Sequence, residues 1–261
     1  MDTWRLLPLE TNTAAMNMAI DEAILTARTA NKVPNTLRFY RWQPSAASIG
    51  KNQNPENELY LDNCKKLGVD VVRRISGGGT VYHDYEGEVT YSVVAKVSDL
   101  GTADITTVYF KIYEAITDAL RLLGVPADFS SGDAKNCPNL TVNGKKISGS
   151  SQTITRGIVL QHGTLLLKAD LPKMFTLLKL KSLSCAQATD IAQRKITSIE
   201  NELRHPISPE TAVNALTQGF RAMLKIQLEP GSLLPYEVEL AKKLCKEKYA
   251  TSEWNLTGKT A

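Results

Sequence analysis

The chain has 261 residues, 43% of them hydrophobic, which is enough to bury a large core and rules out wholesale disorder. Its net charge of +4 suits an acidic protein partner or a nucleotide and falls short of the clustered field of a dedicated nucleic-acid binder. Four scattered cysteines (Cys64, Cys137, Cys185, Cys245) form no CxxC pair, no segment has the h-region of a signal peptide, and no apolar run approaches the ~20 residues that span a bilayer, so a reduced, soluble cytoplasmic protein with no nucleic-acid or membrane partner is expected.

Residues 3–9 read as a strand, and 14–30 as a helix with Met18, Ile20, Ala23, Ile24 and Ala27 at roughly helical spacing. The apolar runs 37–40 and Ala46–Ile49 flank Gln43-Pro44-Ser45, as in a β-hairpin with a polar loop. A short helix over 60–67 stops at Gly68, and a strand over 69–74 enters a glycine loop with 88–95 as its returning partner. The clearest helix covers 106–123, where Ile112, Ile116, Leu120 and Leu123 make one stripe that Gly124 and Pro126 end. Residues 126–139 read as a surface loop, and 140–150 with 158–167 as a strand pair. Helices over 171–180 and Pro209–Leu224 are separated by a polar stretch, 181–205. A break at 230–235 precedes a basic helix, 236–249, and a short tail. Strands alternating with helices through hairpin-type connections argue for an α+β fold: a central mixed, mainly antiparallel sheet with packed helices.

Three segments can carry chemistry. Residues 71–84 read Val-Val-Arg-Arg-Ile-Ser-Gly-Gly-Gly-Thr-Val-Tyr-His-Asp. Glycines let backbone N–H groups approach a ligand, and the paired guanidiniums suit phosphate or carboxylate oxygens. An acyl or phosphate ligand held on this loop is the functional reading; a glycine-rich hairpin with surface arginines is the ordinary one. In the second segment, residues 144–152, strand alternation puts Lys146, Ser148 and Ser150 on one face and Lys145, Ile147 and Gly149 on the other. A lysine at a strand end is commonly a solvated edge residue, but Gly149 would let a ligand lie flat on the strand. In the third, His162 precedes Gly163 at the head of an apolar strand, either as a hydrogen-bonded structural group or as a base. His83 is read as holding the turn of the first loop through Asp84, and His205 as surface. No Ser/His/Asp order, paired carboxylates or Walker A loop stands out.

These segments, with Ile49-Gly50-Lys51-Asn52-Gln53-Asn54-Pro55 ahead of them, resemble the lipoate–protein ligase branch of the biotin/lipoate protein ligase family over about residues 3–225. The resemblance implies a catalytic domain over 1–228 and a short helical extension over 229–261. It implies activation of lipoate by ATP, with Mg²⁺, to lipoyl-AMP. Transfer to a lysine of an acceptor domain, of the 2-oxoacid dehydrogenase E2 or glycine cleavage H protein type, would follow. Carried onto this sequence, Arg73, Arg74, Gly79, Thr80, Val81, Tyr82 and Lys146 would bind the nucleotide. Gly77, Gly78, His83, Lys146, Ser148, Gly149, His162 and Gly163 would bind lipoate. Lys146 would be the catalytic charge, an electrostatic clamp rather than a base.

Two departures from the pattern matter. The family's Asn-Asp pair before the Gly-Lys-Lys segment is replaced by Cys137-Pro138-Asn139-Leu140, which leaves the metal ligands unassigned, with Asp133 as a substitute. The family's accessory domain has no room, and short members can work with a separately encoded accessory subunit. The competing reading is an octanoyl/lipoyl transferase that uses Cys137 as thioester nucleophile without ATP, its thiol activated by Lys135 or Lys146. Gly79, where such transferases carry a bulkier residue, and the short spacing from Cys137 to the Gly-Lys segment favour the ligase; for Cys137 itself a plain structural cysteine is the ordinary reading, ahead of any catalytic role. A non-enzymatic ligand or nucleic-acid binder leaves Lys146, the Gly-Ser strand and His162-Gly163 unexplained.

Overall fold

The central strands are buried on both faces, residues 88–95 and 158–165 without interruption, because helices cover both sides of the fold's main sheet. The structure, a computed structural model, describes all residues except Met1, Ala103, 131–137, Lys181, Thr260 and Ala261. In chain order it runs β1 (Thr3–Leu6), β2 (Glu10–Asn12), α1 (Ala14–Thr29), β3 (Thr36–Trp42), β4 (Ala46–Ile49), α2 (Pro55–Glu58), α3 (Leu61–Lys66), β5 (Asp70–Arg73), β6 (Val81–His83) and β7 (Glu88–Lys96). A 3-10 turn (Val97–Leu100) leads to α4 (Ile105–Leu122), β8 (Asp128–Ser130), β9 (Asn139–Val142), β10 (Lys145–Thr155) and β11 (Ile158–Leu166). Then follow α5 (Leu171–Leu177), α6 (Cys185–Lys195), α7 (Ile199–Leu203), α8 (Pro209–Leu224), β12 (Gln227–Pro230), α9 (Pro235–Leu244), a π-turn (Cys245–Tyr249) and α10 (Ser252–Thr257).

The main sheet has the order β12-β1-β3-β7-β11-β10-β9-β8, with β2 added on β3. It is parallel at β12-β1-β3 and antiparallel from β3 onward, the mixed α+β architecture that the sequence predicts. Phe39, Tyr91, Val93 and Val159 on one face pack against Ile112, Ile116 and Leu120 of α4 and Leu216 and Phe220 of α8. The opposite face, with Tyr40, Val94 and Leu160, packs against Met18, Ile20, Ala23 and Ile24 of α1. Ala241, Tyr249 and Trp254 join that second cluster, so the 229–261 extension shares a core with α1. Among the described residues no helix is long and apolar enough to cross a membrane.

The two helices on the first face meet at Gly219, where an added Cβ would lie 2.2 Å from Ala115 O and 2.9 Å from Ala119 N. Both atoms belong to α4's backbone and cannot swing aside. Gly219→Ala should therefore cost about 1–3 kcal/mol through overpacking, although alanine gains up to ~1 kcal/mol in helix propensity. A urea unfolding midpoint unchanged from the parent would show that the helices have slack.

Several sequence expectations need correction. Ala46–Ile49 is not a hairpin mate of β3; β4 heads a separate three-stranded sheet, β5-β4-β6. Its neighbours are β5, parallel, and β6, antiparallel. Residues 88–95 do not return onto β5 but form β7 at the centre of the main sheet. The strand expected over 140–150 is two strands, because Asn143 and Gly144 take positive φ (50° and 76°) and turn the chain back. The strand read over 3–9 stops at Leu6, with β2 beginning beyond it at Glu10, and the loop expected over 126–139 includes β8. The polar stretch 181–205 contains α6, started by a Ser184–Gln187 capping box, and α7, capped by Ser198. Their polar surfaces hid a thin apolar stripe of Ala188 and Ala192 packed on Phe175. The tail after 249 holds α10.

Candidate active site

The glycine loop lies between β5 and β6, where backbone packs on backbone. Gly78 takes φ +84°, which favours glycine, and a Cβ on Gly50 would stand 2.1 Å from Gly78 O, so Gly50 has no room for a side chain. Arg74 braces the loop from beneath. Its Nη2 donates to Gly77 O and Gly79 O, both at 2.9 Å, and its Nη1 donates to Ser48 O (2.9 Å) and Ser48 Oγ (2.7 Å).

Two buried histidines stand behind this loop, each held at both ring nitrogens. His83 Nε2 lies 2.7 Å from Ser48 Oγ and Nδ1 lies 2.7 Å from Glu88 Oε1, while the ring stacks on Trp42 at 4.0 Å. His162 Nε2 lies 2.7 Å from Ser76 Oγ, and Nδ1 lies 3.0 Å from Asp21 Oδ2. Burial drives the His162 pKa below its ordinary value against the pull of Asp21, so the neutral ring donates from Nδ1 to the carboxylate and accepts at Nε2 from Ser76. Asp21 also accepts from Arg38 Nη1 (2.9 Å) and Tyr40 OH (2.9 Å). Burial works to raise the Asp21 pKa, but the His162 hydrogen bond and the Arg38 charge outweigh it and hold the pKa below the usual carboxylate value. The sheet register sets this up: Arg38, Ser92 and His162 lie side by side across β3, β7 and β11. Both imidazoles line the cavity with their nitrogens already engaged.

That cavity measures about 540 Å³, inside the range of roughly 300–1,000 Å³ usual for small-molecule sites. Met18, Tyr40, Trp42, His83 and His162 line one part of it. Gly78, Gly79, Thr80, Val81 and Tyr82 supply the loop wall. Lys146, Asn139, Phe175, Leu178 and Ile196 line another part.

β10 reaches the cavity through an irregularity. The β9–β10 register shifts between Lys146 and Ser148, a bulge that breaks strict alternation. The predicted common face of Lys146, Ser148 and Ser150 is therefore wrong. Lys146, Gly149, Ser150 and Ser151 line the cavity, while Ser148 is fully buried outside its lining. Lys146 lies across Gly149: a Cβ there would meet Lys146 Cε and Nζ at 2.6 Å. Gly163 is needed for a similar reason, since its Cβ would lie 2.5 Å from Tyr91 OH and 2.6 Å from Gly149 O.

The structure thus brings Arg74, Gly78, Gly79, Thr80, Val81, Tyr82, His83, Lys146, Gly149, His162 and Gly163 to one cavity. Arg73 does not join them: its guanidinium is spent on backbone carbonyls, which corrects its expected nucleotide role. Gly77 lies behind the wall, its carbonyl accepting from Arg74 and Ser151. His83 is held by Ser48 and Glu88 rather than serving its turn through Asp84. Cys137, Lys135 and Asp133 lie outside the described residues. Among the described residues no three His, Cys, Asp or Glu side chains gather as a metal site. Sequence reasoning missed Asp21, Arg38 and Tyr40, although Asn17 and Asp21, four apart in an otherwise apolar stretch of α1, are a readable sign of a buried polar face.

A model of the lipoyl protein ligase A/B catalytic domain matches residues 13–221. The chain is 35% identical to octanoyltransferase LipM of Brevibacillus brevis, over 98% of this chain and 99% of that one. It is 38% identical to octanoyltransferase LipM of Kyrpidia tusciae, with the same coverage. Its structure is similar to a bipartite lipoate protein ligase of Thermoplasma acidophilum (TM-score 0.85, 32% identity, 98% and 97% covered). It is equally similar to a lipoate-protein ligase A bound with ATP (TM-score 0.85, 30% identity, 98% and 99% covered). The fold is common to both groups and does not separate them. The whole-length curated relatives do, and they overturn the expectation of an ATP-dependent, lipoyl-AMP-forming ligase.

Proposed function

Since the chain belongs to the lipoyl protein ligase A/B catalytic-domain family, we propose that it is an octanoyltransferase that modifies a lysine of a lipoyl acceptor domain through a thioester on Cys137. The observation that carries this is the single cavity that Lys146 shares with the glycine loop and an aromatic recess, in a chain whose relatives along their full length are octanoyltransferases. The lining of Met18, Tyr40 and Trp42 suits an aliphatic tail, and His83 and His162, engaged at both ring nitrogens, add no unmet donor there. Cys137 is two residues before Asn139, which lines the cavity. The absent family Asp, with Cys137-Pro138-Asn139 in its place, agrees with a reaction that needs no metal-bound nucleotide.

The chemistry divides into two exchanges. The Cys137 thiolate attacks the carbonyl carbon of an octanoyl thioester, the bond from that carbon to the donor sulfur breaks, and the donor leaves as its thiolate. The neutral amine of the acceptor lysine then attacks octanoyl-Cys137, the bond to the Cys137 sulfur breaks, and the amide forms as Cys137 returns to the thiolate and the amine's proton passes through solvent to the released donor thiolate. Each step passes through an oxyanion, and the Lys146 ammonium at the cavity is the group suited to stabilise it.

The deciding experiment mixes the chain alone, with no second polypeptide, an octanoyl thioester and an acceptor lipoyl domain, without ATP or Mg²⁺, and weighs all species by intact mass spectrometry. Octanoylated acceptor and a transient octanoyl adduct on this chain are expected. Acceptor modification that appears only when free acid and ATP are supplied would refute the reading.

A further inference from the structure

We propose that the segment from Thr251 to Gly258 is a working part of the active site, with Trp254 and Asn255 as positioning residues that hold the glycine loop in shape through Arg73. The catalytic consequence rests on the octanoyltransferase reading; the structural linkage does not.

The two adjacent arginines do different work. Arg74 braces the glycine loop, whereas Arg73, only 2% exposed, faces the other way. Its Nη1 donates to Lys51 O (2.8 Å), Gln53 O (2.7 Å) and Gly50 O (3.3 Å). Its Nε donates to Trp254 O (2.9 Å), and Nη2 to Asn255 O and Leu256 O (3.1 Å each). A buried guanidinium satisfied by carbonyls alone costs desolvation that only a well-formed set of partners offsets. The carbonyls in the last turn of α10 are such partners: Trp254 O accepts from Gly258 N as well as from Arg73, and Asn255 O and Leu256 O belong to the terminus where carbonyls run short of intrahelical donors and are partly negative. The segment also grips the backbone of residue 73 from both sides. Arg73 N donates to Asn255 Oδ1 and Trp254 Nε1 donates to Arg73 O, both at 2.9 Å, while Asn255 Nδ2 donates to Tyr249 O at 2.8 Å.

What Arg73 ties down on its other side is the platform of the cavity loop. Residues 50–53 touch the glycine loop directly: Gly50 leaves no space for a Cβ beside Gly78 O, and Lys51 N donates to Ser76 O at 2.9 Å. Gln53 Oε1 accepts from Gly50 N (2.8 Å) and from Thr80 Oγ1 (3.1 Å). Gly78 and Thr80 line the cavity. A continuous set of hydrogen bonds therefore runs from α10 through Arg73 and residues 50–53 to the wall that would face the acyl group. No residue of the segment lines the cavity, so its loss would loosen the loop without removing any lining side chain.

The test uses the full chain, W254F, N255A and a chain lacking residues 251–261. W254F keeps an aromatic ring against Tyr249 while deleting the Nε1 donor and part of the indole's volume, and N255A removes the neighbouring amide without touching that ring. Octanoyl transfer should fall about tenfold in W254F and N255A, the size expected for losing a hydrogen bond that fixes geometry. It should fall further in the deletion chain and recover when a peptide of residues 251–261 is added. Amide hydrogen exchange at residues 73–81 should accelerate in all three, and in the deletion chain the peptide should slow it again. Parent-like activity together with parent-like exchange at 73–81 in folded W254F and N255A would overturn the proposal. If the parent transfers no octanoyl group, the octanoyltransferase reading fails, and exchange at 73–81 alone decides the linkage. If the deletion chain does not fold, W254F and N255A decide it.

Discussion

Cys137→Ala should reduce octanoyl transfer by at least about a thousandfold, as removal of a covalent nucleophile does when the binding site is left intact. The thiol divides an amine's slow attack on a distant thioester into two exchanges at one fixed sulfur, and alanine removes both. The other cysteines are poor substitutes. Cys64 is buried in the α3–β4 cluster, and burial raises its thiol pKa; burial raises that of Cys245 as well. Cys185 is exposed on α6 and lies outside the cavity lining. The measurement is a single-turnover reaction with an octanoyl thioester, followed by intact mass. Parent protein should show one octanoyl adduct that hydroxylamine removes, and C137A should show none, whereas C185A and C245A should behave as the parent. An adduct that persists at full rate on C137A would eliminate Cys137 as the carrier.

The fold was largely legible because its main elements carry strong periodic signals. The stripe of α4 and the start of α8 at Pro209 behind Ser208 match their observed positions within a residue or two. The second sheet was not legible, because β3 and β4 are separated by three residues and look like a hairpin. Nothing local says that the chain leaves one sheet there for another. The site was legible as three segments, since the triple glycine at 77–79 and the glycines set among polar residues at 144, 149 and 163 stand out without any tertiary knowledge. The partition of roles within them was not. Arg73 and Arg74 are identical in type and adjacent, and only their opposite directions at the end of β5 separate a tether to α10 from a brace beneath the loop. The bulge at Lys146–Ser148 has no sequence mark, so strict alternation put Ser148 where Gly149 and Ser151 belong. The choice between ligase and transferase leaned on Gly79, and the structure explains why that was weak. A Cβ added at Gly79 meets nothing within 4 Å, unlike Gly50, Gly149 and Gly163. No protein atom therefore requires a glycine at this third position.

Lys146→Ala should lower kcat for octanoyl transfer by about a hundred- to a thousandfold, roughly 2.7–4 kcal/mol of transition-state stabilisation, the range for removing one preorganised oxyanion donor. The site gives the ammonium a defined path. The side chain lies over Gly149, whose missing Cβ is the space that Cε and Nζ occupy. β10 itself is pinned beside Lys146 by Thr197 N, which donates to Lys146 O at 2.9 Å. Two companion variants separate charge from geometry. Lys146→Arg keeps the charge but places a wider planar fork in a groove shaped for a single methylene chain, so it should recover only a small part of the rate. Gly149→Ala keeps the lysine and pushes it off the strand, so it should lose activity while the amine is still present. Steady-state kcat and donor KM, with circular dichroism to confirm the fold, distinguish these outcomes. If Lys146→Ala raised KM alone and left kcat intact, Lys146 would bind donor and transition state equally, and the oxyanion role would have to pass to another group at the cavity.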